Sequence, residues 1–205
     1  MRSRLRFRLH GVWLALCLGA CACSSYGGTA RPASPVTVAR QPGWVRVEGV
    51  SLARQRGTRD CGAAALSTVL EHWHAEGGQP RGSVPALRST TIDRALRTAP
   101  ERGLAAGDLR DYARARGFPS FVIEGTLRDL KHELDSGRPV IVGVHKPLSS
   151  GEVLAHYEVV IGYHEQLRQV MTLDPARGLR QNDFEGFARE WAAAGRVALV
   201  IFPRA

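Results

Sequence analysis

Residues 55–73 read Q-R-G-T-R-D-C-G-A-A-A-L-S-T-V-L-E-H-W. Leu66, Val69, Leu70 and Trp73 recur at i, i+3, i+4 and i+7, the spacing of one apolar helical face, and Cys61 stands where that helix begins. Unpaired N–H groups and the positive end of the macrodipole lie at a helix start, and both favour a thiolate over a thiol. Gln55, upstream of the cysteine, carries an amide that a short loop can swing back beside the sulfur, where a donor would serve a developing oxyanion. Asp60 is expected to cap the helix and to stay out of the chemistry, since a carboxylate beside a thiolate opposes its ionisation. An isolated free cysteine is more often a small core residue. The case for chemistry therefore rests on partners elsewhere in the chain.

Thiol chemistry on an amide needs a base that holds the sulfur ionised and later protonates the leaving amine, and a group that fixes the tautomer of that base. His156 opens the apolar string H-Y-E-V-V-I-G-Y, and Asp174 follows in L-D-P-A-R-G. A strand, a short turn and a second strand would bring the two together. The other histidines fit less well. His145 ends a strand with no Asp or Asn on a following strand at suitable distance. His164 lies about 26 Å along the strand from His156, at ~3.3 Å per residue. His72 and His74 ride roughly 16 to 20 Å from Cys61 at 1.5 Å per residue of helix. The chain has no C-x-x-C or H-E-x-x-H spacing, so no metal and no cofactor is expected.

Gln55, the D-C-G-x-A-A-L run and the His156 and Asp174 strings together resemble the bacteriocin-processing (double-glycine leader) cysteine peptidases, a papain-like family. The resemblance spans about residues 50–203 and implies Cys61 as nucleophile, His156 as general base and acid, Asp174 as its orienter, and Gln55 as an oxyanion donor beside the Cys61 backbone N–H. Glu158 departs from the family pattern, which usually shows an apolar residue there. Strand period 2 places it on the face of His156, where it is expected to touch substrate or to raise the histidine pKa. The implied fold is α+β and papain-like, with a helical half packed on an antiparallel β-sheet and the site in the groove between them. The order of elements agrees: helix-start cysteine and further helices first, then strands carrying His and Asp.

The expected elements are short helices around 84–88 and 92–97, a helix over 109–116, a strand at 120–124 and a helix over 126–135. A buried strand follows near 138–144, a polar connection over 146–154, strands at 155–164 and 169–173, a helix capped by the Asn182-x-x-Glu185 box, and a last strand at 197–202.

Residues 1–20 have the arginine-rich start and short apolar run of a secretory signal, and Leu18-Gly19-Ala20-Cys21 resembles a bacterial lipobox, with Cys21 as the lipidated residue. Residues 21–43, rich in Ser, Gly, Pro and Ala, read as a flexible tether, and residues 44–205 as the peptidase domain. Ala22 carries no acidic retention signal, so the expected location is the outer membrane, lipid-anchored and facing the periplasm. The formal charge of +9 falls to +5 without the four arginines of the first ten residues. No basic run or aromatic-basic alternation argues for nucleic acid.

The expected function is hydrolysis of a peptide bond in a secreted or envelope protein, after small residues, often Gly-Gly, as the resemblance implies. Family members that cut leader peptides usually sit on export transporters, and these 205 residues contain no transporter spans and no P-loop. Two alternatives stay open: acyl or peptidyl transfer, including cell-wall peptide amide cleavage, on the same triad, and a non-catalytic peptide-binding domain. The oligomeric state is open as well.

Overall fold

A computed structural model describes residues 28–99 and 102–204. The signal sequence and Cys21 lie outside the described residues. The chain begins with strand β1 (Arg31–Pro32), helix α1 (Pro35–Ala39) and strand β2 (Trp44–Arg46), and a loop leads into helix α2 (Cys61–Ala75). A 3-10 turn at Val84–Leu87 precedes α3 (Ser89–Leu96) and α4 (Ala106–Ala115). Then follow β3 (Ser120–Glu124), α5 (Leu127–Asp135), β4 (Val140–Pro147), β5 (Val153–His164), β6 (Gln169–Asp174), β7 (Gly178–Asp183), α6 (Phe184–Ala193) and β8 (Val197–Ile201). The result is α+β: six helices on an eight-stranded sheet ordered β1-β7-β6-β5-β4-β8-β3, with β2 pairing β5, and every pairing antiparallel.

The helices cover both faces of the sheet, because the central strand β4 is apolar without alternation. Ile141 faces a core with Leu66, Val69, Leu70 and Leu109, while Val140, Val142 and Val144 face Leu130, Leu134, Phe187 and Trp191. A strand buried on both sides reads as a continuous apolar run. Leu66, Val69 and Leu70 of α2 are fully buried, each contributing about 1.5–3 kcal/mol of transfer free energy. Trp73 closes that face, its Nε1–H donating to the Ile201 carbonyl of β8 at 3.0 Å.

Residues 28–43, expected as part of a tether, instead pack on the domain. Arg31 and Pro32 pair with Gln181 and Arg180 of β7, Pro35 opens α1, and Val38 is 2% exposed within the core. Composition misleads here because main-chain pairing and one apolar residue do the anchoring. Smaller differences concern helix starts. α4 begins at Ala106, which leaves Asp108 within its first turn, and α6 is capped by Asp183, whose carboxylate accepts the Gly186 N–H. No helix among the described residues is long and apolar enough to cross a membrane.

Candidate functional site

Cys61 is the first residue of α2, buried at 7% exposure and present as a free thiol. Asp60 occupies the expected cap position, yet its side chain makes no cap hydrogen bond to the helix. Its carboxylate turns back instead, Oδ2 accepting the Arg56 N–H at 2.8 Å and Oδ1 the Gly57 N–H at 3.0 Å. Asp60 thus braces the loop and leaves the N–H groups at the helix start uncovered by its side chain. Such groups form a ready anion site.

β5 brings His156 to that helix start. The ladder between β5 and β6 ends at Val159 and Leu173, while the ladder with β4 continues out to Val153. His156 therefore lies where β6 has already turned away, and the chain from Asp174 folds back over it. The His156 Nε2–H donates to Asp174 Oδ1 at 2.9 Å, and the ring also hydrogen-bonds Cys61. The same Asp174 oxygen accepts the backbone N–H of Ala176 at 2.8 Å and of Arg177 at 3.1 Å, so the D-P-A-R-G turn fixes the carboxylate by its own main chain. Gly178, at φ +89°, closes this turn in a conformation that L side chains rarely adopt.

Burial alone would lower the imidazole pKa, but the hydrogen bonds to Asp174 and Cys61 and the charges of both outweigh it, raising His156 to about 10. Burial would raise the Asp174 carboxyl, and the bond and charge of His156 with the two backbone N–H groups instead hold it below its ordinary value. Burial, then the charges of Cys61 and Asp108, push the Tyr157 phenol up to about 12. The ring is thus held protonated and the carboxylate ionised, which places an imidazolium beside the Cys61 sulfur.

The structure brings Cys61, His156 and Asp174 together. Gln55 is tied to the same turn, its backbone N–H donating to the Pro175 carbonyl at 3.1 Å. Its side-chain Nε2 donates to Gly57 O at 2.8 Å, which commits one of its two hydrogens to the loop. Glu158 departs from expectation as a substrate contact. It is 1% exposed, and its Oε1 lies 2.9 Å from the Nζ of Lys146, a lysine just as buried. The sequence reading missed Lys146 because it fell in the stretch taken for a polar connection, where β4 in fact continues to Pro147. Only strand register could have paired the two.

The rival histidines have other partners or places. His164 donates from Nε2 to the Pro42 carbonyl at 2.9 Å, pinning the N-terminal arm, and His74 Nδ1 lies 3.1 Å from the Gly78 carbonyl. His145 lines a cleft of about 390 Å³ that also contains Cys61, His156, Leu104, Tyr157 and Val197. A second opening that also reaches Cys61 is lined by Arg59, Leu148, Glu152 and Leu154.

The model of the Peptidase_C39 like family matches residues 47–199. The peptidase domain of Streptococcus ComA, a bifunctional ABC transporter involved in a quorum-sensing pathway, is similar with a TM-score of 0.58 and 27% identity, over 76% of this chain and 99% of that one. A putative C39-like peptidase from Bacillus anthracis gives a TM-score of 0.60 at 16% identity, over 79% and 98%. A double glycine motif protease from an AMS/PCAT transporter, solved in complex with the leader peptide, gives 0.53 at 20%, over 77% and 94%. Among curated proteins none matches significantly.

Proposed function

The chain belongs to the Peptidase_C39 like family, and on that premise we propose that it hydrolyses a peptide bond through Cys61, His156 and Asp174. The observation that carries the reading is the His156 ring, hydrogen-bonded to Asp174 through Nε2 and to Cys61 as well.

In this mechanism the Cys61 thiolate attacks the scissile carbonyl carbon, and the carbonyl electron pair moves onto its oxygen. The Cys61 backbone N–H at the open helix start receives that oxyanion, with the free hydrogen of the Gln55 amide as second donor. Collapse expels the amine, which takes its proton from the His156 imidazolium and leaves a thioester on Cys61. His156, now neutral, removes a proton from water, the hydroxide adds to the thioester, and collapse expels the Cys61 thiolate and the carboxylic acid product, which restores the thiolate–imidazolium pair. Asp174 keeps the Nε2–H in place throughout, so one tautomer serves both steps.

The cleft beside the sulfur is lined by Leu104, Tyr157 and Val197 as well as by Gly103, Gly143 and Ala155 and offers a substrate chain room beside Cys61, and the reading of cleavage after small residues comes from the resemblance to double-glycine peptidases. The lipobox reading of Cys21 supports an envelope location and a secreted or envelope protein as substrate. Cys21→Ala is expected to move the protein from the membrane to the soluble fraction, or to leave it unprocessed. Unchanged fractionation, with no acyl label on the wild type, overturns the anchor. The peptidase reading is tested by comparing N-termini in envelope and secreted fractions of wild type and Cys61→Ala. A new N-terminus present only with wild type is expected, and identical sets overturn the proposal.

A further inference from the structure

Behind the His156 ring lies a second buried set of charges that the mechanism above does not use. Lys146, Glu158 and Glu190 are 2%, 1% and 7% exposed. The Lys146 ammonium is 2.5 Å from Glu190 Oε2 and 2.9 Å from Glu158 Oε1. Glu190 alone would match the lysine charge, and its other oxygen accepts the Thr29 N–H at 3.0 Å. Two carboxylates thus share one ammonium, and one negative charge is left over in the interior. A surplus buried charge is costly unless a cation faces it.

The cation within reach is the imidazolium. Ligand atoms of His156, Glu158 and Asp174 all lie within 4.8 Å of one another, and residues 156 and 158 share one face of β5. The charged and titratable groups near this ring are Cys61 from α2, Asp174 from β6, His145 and Lys146 from β4, Glu190 from α6, and Glu158 and Tyr157 from β5, with Asp108 of α4 beyond the tyrosine. The three clustered side chains are not a spare donor set for a metal, since the histidine Nε2–H is given to Asp174 and Glu158 is paired with Lys146.

We propose that Glu158 is a positioning residue for the peptidase reaction: a second carboxylate beside Asp174 that, placed by its ion pair with Lys146, favours the protonated imidazole of His156 and so sets the pH window of the thiolate–imidazolium pair. The inference rests on the peptidase reading given above. When Cys61 becomes a thioester, the ring loses the negative charge of the thiolate. Glu158 and Asp174 then remain to draw a proton from water onto the ring.

Lys146 keeps Glu190 when Glu158 is neutralised, so Glu158→Gln leaves a matched pair and should melt at the wild-type temperature. The test reads iodoacetamide alkylation of Cys61 against pH, and the titration of His156 by NMR, in the full chain. Wild type is expected to alkylate well below pH 8.5, and Glu158→Gln to show both profiles displaced to lower pH by about one unit, as for a unit charge ~5 Å away. Glu190→Gln leaves Glu158 as the sole counter-charge of Lys146 and is expected to displace them the same way by less, which keeps the test open if the first variant does not fold. Glu158→Asp retains the charge and should stay near wild type. Superposed profiles above an activated wild-type thiol overturn the role of Glu158 alone. A wild-type thiol that alkylates only near pH 8.5 overturns the peptidase reading, and the role of Glu158 with it.

Discussion

At the scale of single residues, Asp174 does more than orient a ring. Besides the ring, the backbone N–H groups of Ala176 and Arg177 donate to its Oδ1, so the carboxylate is held by its own turn as well as by the histidine. Asp174→Asn keeps the shape but can present an N–H to Nε2 and favour the wrong tautomer. It should lower kcat by about 10²-fold or more and move the alkaline limb of activity down from near pH 10, as steady-state profiles would show. The same pair governs stability. The histidine pKa is raised in the folded protein, so its stabilising contribution is full below about 6.5 and is lost as pH rises through about 10. That of Asp174 is lowered, so its contribution is present above about 3.8 and is lost as pH falls through the depressed value. Thermal melts against pH should therefore decline on both sides of a window between 3.8 and 6.5, more gently in Asp174→Asn.

At the scale of elements, period and punctuation carried most of the reading. The apolar face of α2 and the strand Ser120–Glu124 appear where their spacing places them, and α5 starts on a Thr126–Asp129 capping box. Removing that cap by Thr126→Ala should cost about 1 kcal/mol in denaturant unfolding. Strand β7, G-L-R-Q-N-D, left no such trace. It has one apolar residue, and what makes it a strand is pairing on both edges, with β6 and with β1. Lys146 hid the end of β4 for a related reason: a lysine in a strand reads as solvent-facing, and its carboxylate partners come from β5 and α6. The site was legible where it followed chain order, with cysteine at a helix start and His and Asp on successive strands. It was illegible where it depended on which strands lie side by side, and Glu158 therefore looked like a substrate contact.

At the scale of the molecule, the N-terminal arm belongs to the domain. Val38 sits in the core, Thr29 bonds both Glu190 and Asn182, and His164 holds the Pro42 carbonyl. A tether residue could be changed freely, whereas Val38→Ala in the full chain should lower stability by about 2 kcal/mol in a denaturant titration. The opposite end of the chain has its own consequence. Strand β8, the last element, lies between β4 and β3, and it supplies the carbonyl that anchors Trp73 of the cysteine-bearing helix. A polypeptide in which β8 has not yet paired lacks both the stave between β4 and β3 and the carbonyl that holds Trp73, so the seat of the cysteine-bearing helix stays unfinished until this strand is laid in.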